Sequence, residues 1–185
     1  NTVERRQRVA FSPVIFVSGT RLLVPRGSSI RDVAHLAGRK VVVARGTTNE
    51  AAMREVIRLR GSSATLVVAE TYADAITLLQ SGGADALAAD DVLLHALLTA
   101  QARHREYRIV GEMLSFEPYG IMYPRDDPAL AGAVERTLRG LAQSREIAWI
   151  YERWFMRPLP TGQRLELPMS VQLRRSLELI GLPVD

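Results

Sequence analysis

Short, uninterrupted apolar runs alternate with longer amphipathic stretches through most of the chain. Leu22-Leu23-Val24, Val41-Val42-Val43, residues 65–69, residues 84–89 and residues 107–110 are runs of strand length bounded by turn or charged residues. Between them lie segments with helical spacing and recognisable ends. One runs from about Asn49 to Arg60, with Thr47 and Glu50 at capping-box spacing and Gly61 as its stop. Another starts at Thr71 and Asp74, draws its apolar side from Ile76, Leu78 and Leu79, and ends near Gly82. A short helix is predicted over residues 29–38, capped by Ser29 and ended by Gly38, and a further one over residues 91–103. Strands alternating with helices of about ten residues predict an α/β layer with largely parallel strands, and residues 39–111 are expected to be a self-contained unit of this kind.

The pattern changes after residue 111. Tyr119-Gly120-Ile121-Met122-Tyr123 is predicted as one strand, stopped by Pro124. Asp127-Pro128 is a helix start, a capping residue followed by proline at the first helical position, and Leu130, Val134, Leu138 and Leu141 give that helix an apolar stripe. Residues 147–155 form an aromatic-rich helix, and residues 171–177 a short amphipathic one. Residues 1–18 and 120–160 carry apolar faces but few strands to cover them. They are expected to share one second unit, part of which is absent from the chain, and to self-associate through residues 1–19 and 120–160.

Composition narrows the chemistry. The net charge is +4, and the arginines are scattered, with Arg5-Arg6 and Arg8 the tightest cluster and no aromatic platform interleaved. That disfavours a nucleic-acid partner. There are no cysteines, so disulfides, thiolate metal sites and cysteine nucleophiles are excluded. His35, His95 and His104 show no metal spacing. No apolar run reaches the roughly 20 residues of a membrane helix. The chain begins at Asn1 and reads as a processed or truncated product.

The most informative string is Gly46-Thr47-Thr48-Asn49-Glu50, directly after the strand-like Lys40-Val41-Val42-Val43-Ala44. A tight glycine turn passes the chain from strand to helix. The first helical turn has N–H groups without intrahelical partners, and the helix dipole adds partial positive charge there. With two threonine hydroxyls alongside, the place suits a small anion such as a carboxylate. Some forty residues on, Ala84-Asp85-Ala86-Leu87-Ala88-Ala89-Asp90-Asp91 predicts a strand ending in carboxylates. An anion cradle facing an acidic strand end is what a free amino acid requires.

Taken together, the segments resemble a known family. The pieces are Asn1-Thr2-Val3-Glu4-Arg5-Arg6, Ala10-Phe11-Ser12, Gly19-Thr20-Arg21-Leu22-Leu23, Gly38-Arg39-Lys40-Val41-Val42-Val43 with Gly46-Thr47-Thr48, and Asp90-Asp91. Glu117-Pro118-Tyr119-Gly120-Ile121-Met122, Arg125-Asp126-Asp127-Pro128 and Trp154-Phe155 complete the set. In this order they resemble the family 3 periplasmic solute-binding proteins of amino-acid ABC transporters, and most the glutamate/aspartate-binding members. The resemblance implies the type II periplasmic binding protein fold: two α/β lobes joined by two hinge strands, with the ligand clamped between them as the hinge closes. Lobe two would be residues 20–117, and a partial lobe one residues 1–19 and 118–185. Family members carry further residues before the position of Asn1, so an incomplete first lobe is implied.

The resemblance also assigns roles. Arg5 matches the arginine that forks onto the ligand's α-carboxylate, a task suited to two parallel guanidinium N–H groups. Thr48 matches the threonine that takes the same carboxylate at the helix start, and Thr47 beside it is a further ligand-binding candidate that can also serve as the cap. Asp90, rather than Asp91, matches the carboxylate that receives the α-ammonium. Tyr72 falls where the glutamate/aspartate binders carry a histidine that touches the acidic side chain; its hydroxyl carries no positive charge at neutral pH, so glutamate, aspartate and a neutral amide all stay open. The implied protein is a periplasmic, non-catalytic binder of glutamate, aspartate or a related polar amino acid. Its partner is an ABC permease in the membrane, and no cofactor or metal is implied. Two alternatives share the fold: a cyclohexadienyl dehydratase-like enzyme, which needs an acid/base pair that Arg5, Thr48 and Asp90 do not resemble, and the sensor domain of a receptor.

Overall fold

The computed structural model describes residues 6–100 and 103–184. The chain divides into two compact units: Gly19–Phe116, and the segments before Gly19 and after Phe116.

Gly19–Phe116 is built on a five-stranded sheet of order β5-β4-β6-β3-β7. The strands are β3 (Thr20–Pro25), β4 (Lys40–Ala44), β5 (Thr65–Ala69), β6 (Ala86–Asp90) and β7 (Tyr107–Val110). β4 pairs in parallel with β5 and β6, while β3 lies antiparallel between β6 and β7. Four strands therefore run one way and β3 alone is reversed. Three helices, α1 (Thr48–Arg60), α2 (Tyr72–Gln80) and α3 (Asp91–Ala100), follow β4, β5 and β6 respectively.

The uninterrupted apolar runs have a direct cause: both faces of this sheet are covered. Leu22, Val24, Val41, Val43, Ala86 and Ala88 pack on one face with Met53 of α1 and with Ile30, Val33 and Leu36. Leu23, Val42, Leu87 and Ala89 point to the other, against Ala75 and Leu79 of α2 and Leu94 and Leu98 of α3. Successive residues of one strand thus enter opposite cores, which is why the middle of each strand is an unbroken apolar run. Gly61 ends α1 in the left-handed conformation, φ +56°, and Thr71 with Asp74 forms a complete capping box on α2.

Three expectations need correction. Residues 39–111 are not self-contained, because β3 sits in the middle of their sheet. The helix expected over residues 29–38 is a single 3-10 turn, Val33–Leu36, capped by Asp32, whose carboxylate accepts from the Ala34 N–H at 2.8 Å. Ser28, not Ser29, shapes the approach by accepting from the Ile30 N–H at 3.2 Å. The strand expected over residues 119–123 is two strands, described next.

The second unit has β1 (Ala10–Phe11), β2 (Phe16–Ser18), β8 (Glu117–Tyr119) and β9 (Met122–Tyr123) in two antiparallel pairs, β1 with β9 and β2 with β8. The chain switches partner at Gly120, where an added Cβ would lie 3.2 Å from both the Ser12 carbonyl oxygen and Ser12 Oγ. Ser12 Oγ accepts from the Ile121 N–H at 2.9 Å and bridges the break. Helices α4 (Pro128–Gln143), α5 (Glu146–Phe155) and α6 (Val171–Glu178) follow. Their core gathers Val17, Leu138, Ala142, Ile147, Tyr151, Leu173 and Leu177. Phe155 stacks on Phe16 and Tyr151, with ring centroids 5.1 and 4.5 Å apart.

Candidate functional site

Parallel neighbours β5, β4 and β6 end side by side at one edge of the sheet, at Ala69, Ala44 and Asp90. Each hands over to a helix beginning at that edge: α2 at Tyr72, α1 at Thr48, α3 at Asp91. The carboxyl edge of such a sheet is where open α/β folds bind ligands. Because β3 is reversed, its first residue, Thr20, joins the same edge, paired with Asp90.

At the start of α1, Gly46 takes the left-handed turn, φ +69°. Thr47 is the N-cap; its hydroxyl donates to the Ala44 carbonyl at 2.8 Å and accepts from the Glu50 N–H at 3.2 Å. The Glu50 carboxylate accepts from the Gly46 N–H at 2.8 Å, one residue earlier than in a standard capping box. Arg54 and that N–H hold the Glu50 carboxyl below its usual range. Thr47 is thereby committed to the turn, while Thr48 stands exposed on the first helical turn.

Behind Thr48 runs a polar chain. The Thr20 N–H donates to Ser115 Oγ at 2.9 Å, and the Thr20 and Ser115 hydroxyls also meet at 2.9 Å. Thr20 Oγ1 donates to Asn49 Oδ1 at 2.7 Å, and Asn49 Nδ2 donates to the Tyr72 hydroxyl at 3.2 Å. Thr20 is fully buried and Asn49 is 1% exposed. Polar groups this deep are retained where each finds a partner.

Asp90 and Asp91 are both buried, but their settings differ. The Asp91 N–H donates to the Gly19 carbonyl at 3.0 Å, and its carboxylate accepts from the Val92 N–H at 2.8 Å. Asp91 is also the ionic neighbour of Arg21, offsetting part of the fall in Arg21's pKa that burial causes. Asp91 thus serves the packing of α3 against β3, whereas Asp90 is the terminal residue of its strand, at the edge itself.

Of the residues singled out from sequence, Thr47, Thr48, Tyr72 and Asp90 are thus gathered at one sheet edge. Arg5 lies outside the described residues. Sequence reasoning missed Asn49, Thr20 and Ser115. Asn49 stands in the sequence as one more polar residue at a helix start, and Thr20 only as one letter of the Gly19–Leu23 string. Among the described residues no group of three or more metal-ligating side chains occurs, and no helix is long and apolar enough to cross a membrane.

Residues 1–157 match the family described as bacterial extracellular solute-binding proteins, family 3. The L-glutamate/L-aspartate-binding protein of Pseudomonas aeruginosa is 33% identical over all of this chain and 61% of its own length. The glutamate/aspartate import solute-binding protein of Escherichia coli K12 is 35% identical over 86% of this chain and 53% of its own length. The chain therefore spans between half and two thirds of these relatives. The GluR0 ligand-binding core from Nostoc punctiforme, solved with L-glutamate, superposes with a TM-score of 0.65 at 29% identity, over 85% of this chain and 70% of that one.

Proposed function

Because this chain belongs to family 3 of the bacterial extracellular solute-binding proteins and has the type II periplasmic binding fold, we propose that it binds a free L-amino acid with a polar side chain, of the glutamate, aspartate or glutamine kind. The α-carboxylate sits at the start of α1 on the Thr48 N–H and hydroxyl, with Arg5 as its guanidinium partner. The α-ammonium goes to Asp90, and the side chain to Tyr72. Thr47 holds the turn. The protein acts without chemical turnover, as the periplasmic capture component of an amino-acid ABC importer that passes its ligand to a membrane permease.

One observation carries this reading: three adjacent strand ends bring a helix start, a buried carboxylate and a half-buried phenol to one edge. A zwitterion is matched by such a site because its two charges need opposite partners, and an ion left unpaired in a water-poor place is costly. The relatives named for glutamate and aspartate support the same ligand class.

Isothermal calorimetry with L-glutamate, L-aspartate, L-glutamine and L-lysine tests the proposal. The expected result is saturable one-site heat for at least one of the first three, with L-lysine about tenfold weaker or more. Heat for none of the four, or heat that continues as turnover, overturns it.

A further inference from the structure

The hydrogen bonds behind Thr48 have a definite polarity. The Thr20 hydroxyl has one proton, and it is given to Asn49 Oδ1. At the contact between the Thr20 and Ser115 hydroxyls, Ser115 must therefore be the donor, and Ser115 Oγ in turn accepts the Thr20 N–H. With Oδ1 committed to Thr20, the amide face that Asn49 turns to Tyr72 is its NH2 group, which can only donate. The Tyr72 hydroxyl accepts that bond and directs its own proton away from Asn49.

We infer that Thr20 and Asn49 are positioning residues that orient the Tyr72 hydroxyl as a donor, so that the site selects amino acids whose side chain ends in a hydrogen-bond acceptor. The inference rests on the amino-acid reading above and deepens it. Burial gives the relay its force: Thr20 is out of reach of water, and Asn49 sits with 1% of its surface exposed, so neither can exchange a protein partner for solvent without cost. An oriented hydroxyl favours a carboxylate or amide oxygen and disfavours an ammonium, whose protons meet the Tyr72 proton head on. A site built to hydrogen-bond a polar group also penalises a ligand that lacks it, because its own polar groups then stay unpaired.

The test compares L-glutamate and L-glutamine with L-norvaline, which has the same backbone charges and no polar side-chain end. Thr20→Val removes the donor that fixes Asn49 while keeping the side chain's shape, and Thr20 is too deep to touch ligand. The inference predicts that Thr20→Val lowers affinity for glutamate and glutamine by about five- to tenfold and leaves norvaline unchanged. Tyr72→Phe produces the same shift, and the double variant adds no further loss. In the ligand-free chain, Tyr72→Phe moves the Asn49 side-chain amide resonances in the NMR spectrum. Ser115→Ala is a milder second perturbation for use if Thr20→Val does not fold, and it shifts the glutamate-to-norvaline ratio in the same direction. Equal loss for all three ligands assigns the residues a structural role and overturns the inference alone, as does an unmoved amide resonance. A wild-type chain that binds no amino acid overturns the functional proposal, and the inference with it.

Discussion

Replacing Gly19 with alanine puts a methyl group where the fold has no room. The new Cβ would lie 2.3 Å from the Ser115 carbonyl oxygen, about 1.1 Å short of the 3.4 Å at which ordinary contact begins, and 3.1 Å from Met113 Cβ and Cγ. The nearest obstacle is backbone, which cannot swing aside like the end of a flexible side chain. Three hydrogen bonds depend on this crossing: Asp91 N–H to the Gly19 carbonyl at 3.0 Å, Leu114 N–H to the Thr20 carbonyl at 2.8 Å, and Thr20 N–H to Ser115 Oγ at 2.9 Å. Overpacking of this kind costs about 1–3 kcal/mol, and one weakened hydrogen bond adds about 1 kcal/mol. The expected destabilisation of Gly19–Phe116 is therefore about 2–4 kcal/mol. Native-state hydrogen exchange at the β4 amides reads it directly, since 2 kcal/mol is a rise of about thirtyfold in the open fraction. Trp149 and Trp154 both lie in the other unit, so their fluorescence during urea unfolding is an internal control for that unit. A Gly19→Ala chain whose β4 protection falls by less than about 0.5 kcal/mol would refute the close-approach account.

Other perturbations probe separate links. Val42 is fully buried among Leu23, Leu87 and the α2 side chains, so Val42→Ala should cost about 2–3 kcal/mol, read as a lower urea midpoint at unchanged slope. The Glu50 carboxyl is held below its ordinary value of 4.5, first by Arg54 and then by the Gly46 N–H. A depressed carboxyl stabilises the fold above its unfolded pKa and loses that contribution as pH falls through the folded value. Glu50→Gln should therefore be less stable than wild type at pH 7 and equal to it at pH 2; an equal gap at both pH values contradicts this. Among the described residues, seven of the fourteen exposed large apolar side chains lie within residues 120–160. Self-association through residues 1–19 and 120–160 accordingly predicts a mass that rises with concentration in light scattering, and a clean monomer at high concentration counts against it.

The sequence disclosed local features well and long-range ones poorly, for physical reasons. Val41-Val42-Val43 could be read as a strand because a strand covered on both faces shows a near-continuous apolar run. Gly61 could be read as the stop of α1 because left-handed backbone selects glycine. The insertion of β3 between β6 and β7 could not be read, since pairing with strands some seventy and ninety residues away leaves no local mark on Thr20–Pro25. The 3-10 turn was misjudged because Ser29 and Asp32 are equally good caps on paper; only the extended backbone at Asp32, φ −162°, decides between them. Thr48 and the Asp90-Asp91 pair were legible because they sit at a glycine turn into a helix and at an acidic strand end, whereas Tyr72, and Asp90 over Asp91, came only from the family resemblance. Asn49 was not, because its importance lies in what surrounds it: burial beneath the sheet edge, between Thr20 and Tyr72.

The most direct test of the site is a titration of wild type and Asp90→Asn with two ligands, L-glutamate and glutarate, the second having glutamate's carbon skeleton without the ammonium. If Asp90 holds the ammonium, the substitution should weaken L-glutamate by about 2–5 kcal/mol and leave glutarate at least as tightly bound as in wild type, because the dianion no longer faces an unpaired buried carboxylate. Equal weakening of both ligands, or none of either, would contradict the assignment of Asp90.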